Sequence, residues 1–138
     1  MAEKTVNLLY KDLSYQIRGA AIEVRKNFGL GHKEVLYQRA FAEELDLRKI
    51  KFEREMPVKI CSPKTGKVIG SYQPDFIVED KIIIELKAIE KIPHRMTDQL
   101  YGYLRNSVYE LGFFINFRSD GVNIKRVIYT NDRKKHIQ

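Results

Sequence analysis

Apolar residues recur through the first third of the chain at the spacing of two helices. Leu13, Ile17, Ala20, Ala21, Val24 and Phe28 predict an amphipathic helix over about 12–28, stopped at Gly29. After Gly29-Leu30-Gly31 the pattern resumes at Leu36, Ala40, Phe41 and Leu45, predicting a second helix over about 32–49. The period then falls to two. Met56, Val58 and Ile60 alternate with polar residues inside a strand over 52–61, where Pro57 suggests an edge or a bulge. Ser62 to Lys67 form a turn that returns the chain through a strand over 68–72. Two denser apolar runs follow, Phe76 to Val78 and Ile82 to Leu86, and the charged break Glu79-Asp80-Lys81 between them predicts a β-hairpin. Met96, Leu100, Leu104 and Val108, four apart, predict a third helix over about 94–110. A buried strand over 111–117, a turn at 118–121 and a closing strand over 122–129 complete the pattern. Six or so strands and three helices imply an α/β or α+β sandwich around a mixed sheet. The whole chain is expected to be one domain, 1–138, with flexible ends over 1–10 and 131–138.

The second run of the hairpin carries an anomaly. Ile82-Ile83-Ile84-Glu85-Leu86-Lys87 is apolar on both parities, as in a strand covered on both faces, yet it holds a carboxylate and an ammonium. Strand side chains alternate, so Glu85 and Lys87 share a face and Leu86 takes the other. A carboxylate on a buried strand is costly unless it is paired or binds a metal. Asp75 precedes Glu85 by ten residues, and register decides whether they meet. A two-residue loop at Asp80-Lys81 would set Asp75 opposite Leu86, whereas a three-residue loop at Glu79-Asp80-Lys81, or a bulge, sets it opposite Glu85. The second arrangement is expected. Two carboxylates and a lysine on one patch suit metal-dependent phosphodiester hydrolysis: Asp75 and Glu85 would hold Mg2+, with Mn2+ as a substitute, and Lys87 would assist the attacking water.

Charge supports a polyanionic partner. The net charge is +7, and residues 91–138 hold nine Lys/Arg against four Asp/Glu while residues 50–90 hold seven of each. Positive surplus in the last third, including Lys125 and Arg126, could grip phosphates away from the metal. The single cysteine, Cys61, rules out an internal disulfide and fits a reducing compartment. No apolar run approaches a membrane span and the N-terminus lacks a signal-peptide core, so a cytoplasmic protein without membrane association is expected. Neither a GxxxxGK loop nor zinc spacing is present.

Pro74-Asp75 followed by Glu85-Leu86-Lys87 resembles the signature of the PD-(D/E)XK nuclease superfamily. Gly31, Glu34 and Tyr37 are similar to the GxxExxY pattern of one family within it. The likeness extends through Gln99-Leu100, Tyr103-Leu104, Gly112, Ile115-Asn116-Phe117 and Ile124-Lys125-Arg126, about residues 13 to 129. It implies a restriction-endonuclease-like sandwich and a Mg2+-dependent nuclease acting on nucleic acid, with DNA the expected form. It also implies that Glu34 completes the metal site, directly or through water, and that Gln99 orients the water or the substrate, with Tyr103 beside it on the third helix. A homodimer would extend the small footprint of one domain. The alternative is a nucleic-acid-binding module of the same fold without catalysis.

Overall fold

The computed structural model describes residues 9–134. Among the described residues three helices, α1 (Lys11–Phe28), α2 (Glu34–Leu47) and α3 (His94–Arg105), accompany seven strands. The strands are β1 (Phe52–Arg54), β2 (Val58–Cys61), β3 (Val68–Tyr72), β4 (Phe76–Val78), β5 (Ile82–Lys87), β6 (Leu111–Arg118) and β7 (Gly121–Ile128). Five of them form the central sheet in the order β1-β4-β5-β6-β7, and β2 pairs only with β3 as a separate two-stranded ribbon. The sheet is mixed: β5 and β6 are parallel, connected through α3, and the other neighbours are antiparallel. This is the expected mixed α/β sandwich.

Alternation on β4 and β5 builds two cores. Phe76, Val78, Ile82, Ile84 and Leu86 face α1 and α2, where they meet Ile17, Val24, Phe41 and Leu45. Ile77, Ile83 and Phe114 face Leu100 and Leu104 of α3. Both sides of β5 are therefore covered, which explains its unbroken apolar run. At Gly112 a Cβ would lie 3.2 Å from Leu100 Cδ2, so the glycine lets α3 sit close to β6.

Three features depart from the hydrophobic pattern. The single strand expected over 52–61 is two strands, because Glu55 adopts a left-handed conformation (φ 53°) and Pro57 follows it. Helix α3 ends at Arg105, where Asn106 N–H and its side-chain amide both donate to Gly102 O, and Val108 is exposed rather than in the core. Residues 131–134, within the end expected to be flexible, have defined local structure. Asn131–Arg133 form a 3-10 turn, and Lys134 is buried with its Nζ donating to Ser107 O and Tyr109 O, both at 2.8 Å. Residues 1–8 and 135–138 lie outside the described residues.

Candidate active site

The β4–β5 hairpin sets the register on which the site depends. Phe76 pairs with Ile84, Ile77 with Ile83 and Val78 with Ile82, leaving Glu79-Asp80-Lys81 as a three-residue loop. Continuing that ladder by one step puts Asp75 across from Glu85. The loop holds successive left-handed residues, Glu79 (φ 52°) and Asp80 (φ 53°), uncommon for non-glycine. Backbone and side-chain ties compensate. Glu79 N–H donates to Lys51 O at 2.8 Å, Lys51 N–H donates to Glu79 Oε1 at 2.7 Å, and the Tyr109 hydroxyl donates to Asp80 Oδ1 at 2.6 Å.

Asp75 and Glu85 are locked together through the backbone. Asp75 N–H donates to Glu85 Oε1 at 2.9 Å, and Leu86 N–H donates to Asp75 Oδ2 at 2.8 Å. Burial pushes the Asp75 carboxyl above its ordinary range, against the Leu86 amide and the charges of Lys87 and Arg54. Glu85 is raised by burial and then by the charge of Asp75, against the influence of Tyr72, the Asp75 amide and Lys87. Two half-buried carboxyls side by side therefore resist being charged together unless a cation joins them. Lys87 lies two residues beyond Glu85 on the same face and acts electrostatically on both.

Tyr72, which no sequence motif singles out, closes one side of this patch. Its ring stacks on Tyr103 at 3.9 Å between centroids. Its hydroxyl is sealed from solvent beside Glu85 but falls short of a formed hydrogen bond. Burial, followed by the Glu85 charge, pushes this phenol far above its ordinary pKa. Tyr72, Glu85, Lys87, Gln99, Tyr103 and Phe114 line a cleft of about 80 Å³. Gln99 is exposed and lines the same cleft as Glu85. Parity was the signal available for Tyr72: it is the inward end of β3, three residues before Asp75.

Glu34 stands apart from the pair. It starts α2 and accepts a 3.4 Å contact from Gln38 Nε2, while Gln38 Oε1 accepts from Arg54 Nη2 at 3.3 Å. Arg54 packs over the Phe76 ring and acts electrostatically on Asp75. Among the described residues no three His, Cys, Asp or Glu side chains converge as a metal-holding group, and Glu34 is not drawn into one with Asp75 and Glu85. The physical reason is the helix start: the first turn of α2 directs Glu34 along its own face to Gln38. Tyr37, three residues on, is engaged elsewhere. It is fully buried, stacks on Phe117, donates to Gly29 O at 2.8 Å and accepts from His32 N–H at 3.2 Å, fixing the loop before α2.

Lys125 and Arg126 are neighbours in sequence but point to opposite faces of β7. Lys125 pairs with Phe114, which pairs with Glu85, so it shares the site's face, whereas Arg126 pairs with Phe113 on the α1–α2 side. Asn116, in register with Lys87, is buried and holds the chain after β5 by accepting from Ile89 N–H and donating to Ile89 O. His94 opens α3 as an exposed residue 3.4 Å from Asp98.

A larger cleft of about 560 Å³ lies by β1, between Asp46, Phe52, Met56 and Ile77, and does not include the carboxylate pair. The cleft that holds Glu85 and Lys87 is by contrast small, below the range of cavities that enclose a drug-sized molecule.

A family model for the PD-(D/E)XK nuclease superfamily matches residues 11–127, from the start of α1 to the end of β7. The chain belongs to that superfamily. PD-(D/E)XK proteins are usually nucleases and generally use divalent metal ions, which gives the Asp75–Glu85–Lys87 patch its chemical context. No curated protein matches significantly. The solved structures that resemble the chain include the crystal structure of SSO0001, 16% identical with a TM-score of 0.45, the match covering 85% of this chain and 65% of that one. Among the described residues no helix is long and apolar enough to cross a membrane.

Proposed function

We propose that this PD-(D/E)XK protein is a Mg2+-dependent nuclease that hydrolyses phosphodiester bonds in DNA, with Mn2+ able to replace Mg2+. The observation that carries the proposal is the reciprocal lock between Asp75 and Glu85, two amide-to-carboxylate hydrogen bonds of 2.9 and 2.8 Å that hold both acids on the face of Lys87. The donor chemistry fits a hard cation. Each carboxylate accepts one backbone amide, at Glu85 Oε1 and at Asp75 Oδ2, so both acids are held in place as hard oxygen donors. Mg2+ is commonly held by one or two carboxylates, with water and substrate phosphate completing its shell. Asp75 and Glu85 would hold it, and the ion would supply Lewis-acid charge at the phosphoryl group and its attacking water.

The chain's own groups do the rest. The Lys87 ammonium steadies the attacking water and the charge that develops as the water oxygen bonds to phosphorus and one ester P–O bond breaks, the leaving oxygen taking a proton. Gln99 orients water or substrate from the rim, and Tyr103 supports a nucleotide beside it. Glu34 contributes from α2 through Gln38 and Arg54 or through water. Gly31, Glu34 and Tyr37 support placement in the GxxExxY group.

The test is incubation with plasmid, linear, single-stranded and branched DNA and with RNA, each with and without Mg2+ or Mn2+, beside a Glu85→Ala control. Metal-dependent cleavage of DNA that the control lacks is expected. Binding without cleavage under every condition would leave the binding module, and cleavage by the control would remove Glu85 from the site.

A further inference from the structure

Among the described residues the β2–β3 ribbon is the one pair of strands outside the central sheet, and its sequence is unusual. From Pro57 to Pro74 there is no Asp or Glu, while Lys59, Lys64 and Lys67 are all present. All three lysines are exposed, and none has an ion-pair partner among the described residues. In a chain where charged residues are 31% of the total, an acid-free stretch this long concentrates positive potential on one ribbon.

The ribbon has two unlike faces. Val58 pairs with Tyr72 and Ile60 with Gly70, and Val58, Ile60 and Tyr72 pack toward α3. Lys59 pairs with Ser71 on the opposite face, where Ile69 is 70% exposed. The tip is fixed by its own hydrogen bonds. Gly66 N–H donates to Ser62 O, Ser62 N–H to Lys67 O, and Lys64 and Thr65 N–H to Ser62 Oγ. The turn end of β2 is held to the residue after α3 by Cys61 N–H to Asn106 O at 2.8 Å, and the base is fixed by Gln73 Nε2 to Glu55 O at 2.6 Å. It is a preorganised ribbon seated on α3 with its other face exposed, and β3 ends only three residues before Asp75.

The geometry points to this ribbon as a duplex-DNA grip that enters the major groove and seats the phosphate backbone beside Asp75 and Glu85. The inference rests on the nuclease reading of that site. A two-stranded ribbon fits the B-form major groove, about 12 Å wide, whereas the deep, narrow major groove of A-form RNA does not admit it. Lys59, Lys64 and Lys67 supply phosphate contacts, and Ile69 supplies an apolar contact of the kind made to a thymine methyl.

The test compares wild type with a Lys59→Ala/Lys64→Ala/Lys67→Ala variant. Binding to one sequence as duplex DNA and as duplex RNA is measured by fluorescence anisotropy between 50 and 200 mM salt, about the range over which phosphate contacts are read out, with chelator present. The plot of log affinity against log salt for duplex DNA is expected to flatten by about 2.7 in the variant, about 0.9 for each phosphate that a lysine no longer neutralises. RNA binding should change little, and melting and sedimentation should match wild type because the lysines are exposed. An unchanged DNA slope, an equal loss on duplex RNA, or a shift in oligomeric state in place of the DNA defect would overturn the ribbon's role. Metal-dependent cleavage by wild type, absent in Glu85→Gln, leaves the nuclease reading standing even then. Wild type that neither binds nor cleaves DNA would end both.

Discussion

Glu85 is opposed in its charged form by burial and by Asp75 at once. For a carboxyl raised in the folded state, the folded protein keeps its proton over a window in which the unfolded chain has released it. The group therefore lowers stability as pH rises above its ordinary value of 4.5. Glu85→Gln keeps an oxygen acceptor for the Asp75 amide and removes the charge. In chelator at neutral pH it is expected to melt at or above the wild-type temperature, and to lose less stability than wild type between mildly acidic and neutral pH. Metal should reverse the order. At ten times its dissociation constant, a cation bound only to the folded site adds about 1.4 kcal/mol. Paired thermal melts with titrated Mg2+ or Mn2+ check this, and equal metal-induced shifts in the two proteins would show that Glu85 is not a ligand. Tyr37 gives a different residue-scale result. Tyr37→Phe keeps the stack on Phe117 but removes two hydrogen bonds in the loop before α2, so a loss of about 1–2 kcal/mol in denaturant melts is expected, with cleavage retained. A tenfold fall in rate at unchanged stability would mean that Tyr37 serves the chemistry.

Among the elements, the three-residue loop between β4 and β5 decides whether Asp75 meets Glu85, since a one-residue slip would turn Asp75 to the face of Leu86. The closing turn after β7 carries a separate titration. Burial lowers Lys134 to about 8, with Glu110 opposing. Below that value both folded and unfolded chains hold the proton and the buried charge weighs fully on the fold. Between about 8 and the ordinary value of 10.5 only the unfolded chain holds it, so stability rises with pH. Denaturant midpoints are expected to increase from about pH 7.5 to 9.5, and Lys134→Met should abolish that rise. A rise of equal size in the variant would place the titrating group elsewhere.

At the scale of the whole molecule, the central sheet divides the two neighbouring cations of β7 between its faces. Lys125 lies on the face of Glu85 and Arg126 on the face covered by α1 and α2. Lys125→Ala is therefore expected to flatten the salt dependence of DNA affinity by about 0.9, the effect of one phosphate contact, while Arg126→Ala leaves the slope near wild type. Equal slopes for Lys125→Ala and wild type would move the interface off that part of β7. The carboxylate pair, the Gln99–Tyr103 rim and the ribbon all adjoin the α3 side, so a nucleic acid lying there would meet them together.

Local order was legible because it is written in local patterns. The helices of Ile17–Val24 and Phe41–Leu45, the doubly covered strand Ile82–Leu86, and the face shared by Glu85 and Lys87 follow from periods of 3.6 and 2. The three-residue loop was legible for the same reason, since parity leaves few registers open. Other features depended on contacts between segments distant in sequence. The break at Glu55–Pro57 gave β1 and β2 different partners, and Lys134 found its acceptors at Ser107 and Tyr109. Tyr72 became part of the site by stacking on Tyr103, and Glu34 turned to Gln38 instead of Asp75. The sequence by itself determined which residues lie on each face of each element. Tertiary packing decided which of those faces meet, because the stability of a long-range contact depends on both partners and on the path of the chain between them.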